Sequence, residues 1–259
     1  MSHQLEPADY QDGDVICKGR LVLPSGTDAR PGIVVFPDIF GISDLSEPGD
    51  HPIDRAIRLA DELGYVALVA DVYGEGAPPP FPDAVDVVAS WLANPEKIAR
   101  RAAAAVEALK AHPRCDGRVA AIGFCFGGGV VMALVRSGAD LVAGVTFHGV
   151  LATPKPALSG MVKAKLLVLH GGDDYGGTGG TGELAFGGEG GDLKSATVIE
   201  FMQEMSAANI DCQMISYSGV VHAFTIAARD ALGIPGVKYD AVADRRSWQA
   251  MVTFFEEIF

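Results

Sequence analysis

Cysteine is scarce: four of 259 residues, Cys17, Cys115, Cys125 and Cys212, with no C-x-x-C pair among them. Scattered single thiols argue against a zinc site and a dithiol redox centre, so neither metal nor cofactor is expected. Their even number says nothing about disulfides in a reducing compartment. Basic residues are also in the minority, 20 Lys and Arg against 33 Asp and Glu, for a net charge of -13. No basic run is long enough to follow a phosphate backbone, which argues against a nucleic-acid partner. Apolar runs fall short of the roughly 18 residues that cross a bilayer. Residues 1–14 are too polar and acidic for a signal or transit peptide. A cytoplasmic protein with no membrane association is the expectation. Internal repeats are lacking, and the one low-complexity segment, Gly176 to Gly191, has so few apolar side chains that a mobile surface excursion is expected there.

What is present points to a sizeable core. Hydrophobic residues make up 49% and charged residues 20%, which suits one large α/β domain over residues 1–259. Continuous apolar runs at residues 32–36, 65–70, 119–122, 141–147 and 165–170 read as strands buried on both faces, and residues 15–23 and 213–217 as two further strands. Helical patterns fall at residues 52–63, 84–92, 95–111, 130–135, 196–208 and 240–259. Strands alternating with helices predict a mainly parallel sheet whose strand carboxyl ends share one edge, where sites of such sheets collect.

The chain is organised around residues 118–130, R-V-A-A-I-G-F-C-F-G-G-G-V. An apolar strand stops at Gly123-Phe124-Cys125-Phe126-Gly127 and a helical stretch follows. That is G-x-C-x-G, the cysteine form of the G-x-S-x-G nucleophile elbow, whose tight turn needs glycines on either side of the nucleophile. A dinucleotide fingerprint fails, because its second glycine would have to stand where Cys125 is. The competing reading is a buried structural thiol.

A cysteine nucleophile needs a base, and the base a group to orient it. Among six histidines, His3, His51 and His112 read as solvated or capping residues. His148 and His170 lie at strand ends, where a structural role competes with pocket lining. His222 follows a strand and a Ser218-Gly219 turn, in the chain order nucleophile, acid, histidine. Gly171-Gly172-Asp173-Asp174 supplies the acid, with Asp174 better placed than Asp173 to turn towards the histidine loop. Phe40, Tyr73, His148 and Phe224 are expected to line the pocket.

These residues resemble the dienelactone hydrolase family, a branch of the α/β-hydrolases with a Cys-His-Asp triad. The resemblance rests on P-D-I-F-G at Pro37 to Gly41, Asp71-Val72-Tyr73, G-F-C-F-G-G at Gly123 to Gly128, H-G-G-D-D at His170 to Asp174 and V-H-A-F-T at Val221 to Thr225. It implies a three-layer α/β-hydrolase sandwich, a triad of Cys125, Asp174 and His222, and cofactor-free cleavage of a small ester or lactone through a thioester acyl-enzyme. Phe126 and Ile39 N–H groups are the expected oxyanion donors. Thioester hydrolysis or acyl transfer on the same triad, and a non-catalytic thiol-bearing relative, are the alternatives; a monomer or small homo-oligomer would serve any of them. Asp38 stands where the family commonly has Glu, and the resemblance implies that it modulates the resting thiol. The arginines with which characterised members grip a substrate carboxylate correspond here to Glu75 and Ile226. That favours neutral substrates unless another cation, Arg229, takes over.

Overall fold

The computed structural model describes residues 5–42, 51–81, 83–174 and 196–259. The Gly-rich segment Gly176 to Gly191 lies outside the described residues. One sheet contains β1 (Leu5–Asp12), β2 (Val15–Val22), β3 (Arg30–Phe36), β4 (Val66–Val69), β5 (Cys115–Phe124), β6 (Ala143–Phe147), β7 (Lys165–Gly171) and β8 (Cys212–Tyr217). Its strand order is β1-β2-β4-β3-β5-β6-β7-β8. The β1/β2 and β2/β4 pairs are antiparallel and every other neighbouring pair is parallel.

The helices are α1 (His51–Leu63), α2 (Asp83–Leu92), α3 (Pro95–Lys110), α4 (Phe126–Arg136), α5 (Ala196–Ala207) and α6 (Ala241–Glu256). They cover both faces of the sheet because successive strand side chains point to opposite sides. In β3, Val34 and Phe36 pack into the cluster that holds residues of α2 to α5, while Ile33 and Val35 join that of α1 and α6. Two caps set helix starts. Asn94 accepts the Lys97 N–H ahead of Pro95, and Asp240 accepts the Val242 and Ala243 N–H groups.

Strand β1 was not anticipated from the sequence. It runs antiparallel to β2 at the sheet's edge, with Tyr10 and Asp12 its buried side chains. Asp12 is held below the usual carboxylate range first by its hydrogen bond from Arg100, against the opposing effect of burial, and then by Arg101. Arg101 donates to Asp12 at 2.8 Å and to the carbonyls of Val72 and Tyr73 at 3.0 and 3.2 Å. It ties the edge hairpin and the loop after β4 to α3. Arg101→Ala should destabilise the fold by about 3 kcal/mol in urea denaturation, the low end for breaking a buried pair because Arg100 still reaches Asp12. A loss below about 1 kcal/mol, the level of an exposed pair, would show the contact to be dispensable.

Candidate active site

The parallel strands β3, β5, β7 and β8 deliver four loops to one edge. At the end of β5 the chain turns through Cys125 at φ 53° and ψ -116° and enters α4 at once. The turn is possible because backbone replaces side chain around it. A Cβ on Gly123 would lie 2.1 Å from the Gly127 carbonyl oxygen, and one on Gly127 would lie 2.1 Å from that of Phe36. Cys125, His148 and Ala223 are three of the five non-glycine residues with positive φ among the described residues. Strain of that kind persists only where the surroundings over-determine it.

The loops that carry Asp174 and His222 are stitched together. Gly172 N–H donates to Tyr217 O at 2.7 Å and Asp173 N–H to Val220 O at 2.9 Å. That leaves Asp173 exposed and turns Asp174 inward, where its carboxylate oxygens accept from His222 Nδ1 at 3.0 and 3.1 Å. Cys125, Asp174 and His222 are all buried. Burial alone would push the His222 pKa down. The charges of Asp174 and then Cys125, with hydrogen bonds from His222 to both, outweigh it and raise His222 well above the ordinary histidine value. The structure therefore brings together the three side chains singled out by the sequence.

Phe126 is the first residue of α4, so its N–H has no intrahelical acceptor. Ile39 lies in the loop after β3, and its carbonyl accepts from the Tyr73 hydroxyl at 2.7 Å. Burial, then the negative charges of Cys125 and Asp38, push Tyr73 well above the ordinary tyrosine value and keep it a donor. Its ring stacks on Phe126 with centroids 5.8 Å apart.

A pocket opens over Cys125 and His222, walled by Ile39, Phe40, Phe81, Leu232, Ile234 and Val237. Of the residues expected to line the pocket, Phe40 does; Tyr73 is not part of its wall, and His148 and Phe224 are fully buried behind the site. His148 accepts the Cys125 N–H on Nδ1 at 3.1 Å and stacks edge-on against both His222 and Phe224. His51 is neither solvated nor a cap. It meets the Phe124 ring edge-on, and burial, then Arg55 and Arg229, push its pKa down.

Asp38 does not face the site as a bare charge. Its carboxylate receives two bonds from Arg229, at 2.7 and 3.1 Å, and a third from Phe40 N–H at 3.0 Å. The Arg229 guanidinium lies 3.9 Å from the centre of the Phe40 ring. Glu75 is exposed and Ile226 buried, so Arg229 is the cation of this pocket. The sequence offered it as a substitute cation, but not its pairing with Asp38. Arg229 sits in an exposed 3-10 helix, Ala227–Leu232, seven residues beyond His222, with no apolar periodicity to mark it. Among the described residues no three His, Cys, Asp or Glu side chains converge as a metal site requires, and no helix is long and apolar enough to cross a membrane.

The electrostatics generate a prediction. Asp174→Asn should move the His222 titration, followed by NMR of the imidazole, to lower pH. A group whose native pKa is raised stabilises fully below its unfolded value and loses that contribution as pH climbs through the native one. The stability gap between wild type and variant in urea denaturation should thus be widest at mildly acid pH and close towards alkaline pH. A gap that widens as pH rises would reverse the sign assigned to His222.

The sequence profile of the dienelactone hydrolase family matches residues 17–259. A crystal structure of a dienelactone hydrolase-like promiscuous phosphotriesterase from metagenomic libraries is 36% identical and superposes with a TM-score of 0.85 over 100% of both chains. A candidate dienelactone hydrolase from Klebsiella pneumoniae, 21% identical, shares the fold with a TM-score of 0.70 over 99% of each chain. A candidate carboxymethylenebutenolidase of Salmonella typhimurium is 26% identical over 90% of this chain and 80% of its own length. On the family profile and this full-length likeness, the chain belongs to the dienelactone hydrolase family of α/β-hydrolases and is an enzyme of the carboxylic ester hydrolase class.

Proposed function

We propose that the protein hydrolyses small, uncharged carboxylic esters or lactones through Cys125 as nucleophile. The observation that carries this reading is the elbow cysteine sharing a pocket with a histidine whose far nitrogen is held by a buried carboxylate. Cys125 and His222 share one proton, held on Nε2, and the Sγ thiolate attacks the carbonyl carbon. The carbonyl π pair moves onto oxygen, where the N–H groups of Phe126 and Ile39 receive the charge. Each such donor is worth roughly 3 kcal/mol in reactions of this kind. Collapse expels the alkoxide, which takes the proton from Nε2 and leaves a thioester. Water then loses a proton to Nε2 and attacks, and the second collapse releases the acid and the thiolate. Asp174 holds the imidazole in the tautomer that leaves Nε2 facing the sulfur.

Substrate charge follows from the walls. They are apolar, and among the described residues the one cation on them, Arg229, is already held by both oxygens of Asp38. A carboxylate on the substrate would have to displace Asp38, itself buried, from its partner. The role read for Asp38 is therefore to neutralise Arg229 as well as to stand near the thiol.

A second reading concerns phosphotriesters, because the 36% identical relative is a promiscuous phosphotriesterase. The same attack geometry could be offered to a neutral phosphoryl centre.

Two tests follow. Cys125→Ala should abolish turnover of p-nitrophenyl esters, and of a p-nitrophenyl phosphotriester if one is turned over, while far-UV circular dichroism stays unchanged. Wild-type rates in the variant would remove Cys125 from the mechanism. Separately, kcat/KM for a neutral ester should exceed that for its carboxylated analogue, and Asp38→Asn, which releases Arg229, should raise the carboxylated substrate relative to the neutral one. A wild-type preference for the anion would refute the charge argument.

A further inference from the structure

We propose that His148 is a positioning residue of the reaction, clamping the nucleophile turn to the base loop; this rests on the reading of Cys125 as nucleophile. His148 follows β6 directly, and its side chain is completely buried. An imidazole there costs free energy unless its nitrogens are hydrogen-bonded, and both are. Nδ1 lies 3.1 Å from the Cys125 backbone nitrogen, and Nε2 lies 2.8 Å from Thr225 Oγ1. An amide N–H can only donate, so Nδ1 must be the bare nitrogen and Nε2 must carry the proton given to Thr225. One neutral tautomer satisfies both contacts. Burial first, and then the neighbouring His222 and His51, push His148 well below the ordinary histidine value, in keeping with that neutral form.

The two partners belong to the two halves of the site. The Cys125 N–H is shared between His148 Nδ1 and the Phe147 carbonyl, the latter at 3.0 Å. Holding that N–H fixes the peptide plane from which the Cys125 N–Cα bond leaves, and hence the strained φ. Sγ and the Phe126 N–H lie just beyond that bond, so a shift there moves nucleophile and oxyanion donor together. On the other side, Thr225 is three residues past His222. Its carbonyl accepts from Arg55 at 3.0 Å, and Arg55 is anchored on Asp244 of α6 at 2.7 Å. His148 thus joins the elbow to a base loop that is itself pinned to α1 and α6. Its ring also lies edge-on to that of His222, with centroids 5.1 Å apart. A residue that only filled space would be replaceable by an apolar side chain of similar size.

The test uses two replacements at one position. His148→Leu fills the volume without an acceptor. His148→Asn puts a carbonyl oxygen near the place of Nδ1, and asparagine tolerates the positive φ of 39° found there. Against p-nitrophenyl esters, His148→Leu should lose kcat by roughly 10²-fold, as for a small misplacement of reacting groups, with KM changed less than about threefold. His148→Asn should recover to within about tenfold of wild type. A His148→Leu enzyme within about threefold of wild-type kcat, or a His148→Asn enzyme no better than His148→Leu, overturns the assignment. Should His148→Leu fail to fold, Thr225→Val, which removes the acceptor for Nε2–H, decides: a kcat loss of about fivefold or more at steady KM supports the clamp, and an unchanged kcat overturns it. Cys125→Ala measured alongside keeps the two readings apart, since activity surviving there removes the nucleophile, whereas the His148 variants keep Cys125 in place.

Discussion

Everything at the active edge depends on how closely the start of α4 is pressed onto the end of β3. Gly127 sits so near the Phe36 carbonyl that no side chain could stand between them, and β3 and β5 are neighbouring parallel strands in register up to Phe36 and Gly123. The loop that continues from Phe36 through Pro37 and Asp38 therefore begins beside the helix start. Ile39 and Phe126 come from chain segments far apart in sequence, yet their N–H groups reach the same edge because of that contact. The positive φ of Cys125 is the local strain that accompanies this arrangement. It is held by β5 being paired on both sides, so the sheet, rather than the turn, stabilises the conformation of Cys125.

Within this frame the site keeps its charges in compensated pairs. Asp174 meets His222, and Asp38 meets Arg229. The chain carries a net charge of -13, but on the pocket wall the one carboxylate among the described residues is already bonded to a guanidinium and a backbone N–H. Burying an uncompensated carboxylate would cost several kcal/mol, so a short side chain such as Asp38 can stand there only with a partner. An expectation built on the charge of Asp38 alone leaves out that partner, which arrives from a segment 191 positions away.

The parallel strands and their helices were legible because a strand buried on both faces must be apolar throughout, and all four residues of β4 and all five of β6 are buried. The elbow was legible because steric crowding fixes its glycines at set spacing. Asp174 was separable from Asp173 because the glycines before it force a bend. Features decided by tertiary contact were not legible. Strand β1 has few apolar residues and is tied down by Asp12 on α3. His51 has the look of a helix-start residue and is half-buried against Phe124, Arg55 and Thr225. Arg229 could be named as a substitute cation, but its bond to Asp38 could not, since it lies on a short 3-10 helix whose exposed side chains show no period. The role of His148 needed the distance to the Cys125 nitrogen, which no sequence spacing encodes.

The His222 loop is held from outside as well as from within. His222 N–H donates to Gly236 O and its carbonyl accepts Lys238 N–H, both at 3.0 Å, so residues 236–238 clasp the histidine's backbone. The same stretch supplies Ile234 and Val237 to the pocket wall, and the 3-10 helix before it supplies Arg229 to Asp38. Pocket wall, charge pair and base thus belong to one continuous piece of chain between His222 and α6. Side chains that meet a substrate's apolar group are covalently close to the hydrogen bonds that set the imidazole's position. In such a construction the shape of the pocket and the alignment of the base cannot vary independently: a bulkier residue at 234 or 237 acts on His222 through two backbone bonds, even where it never touches the imidazole.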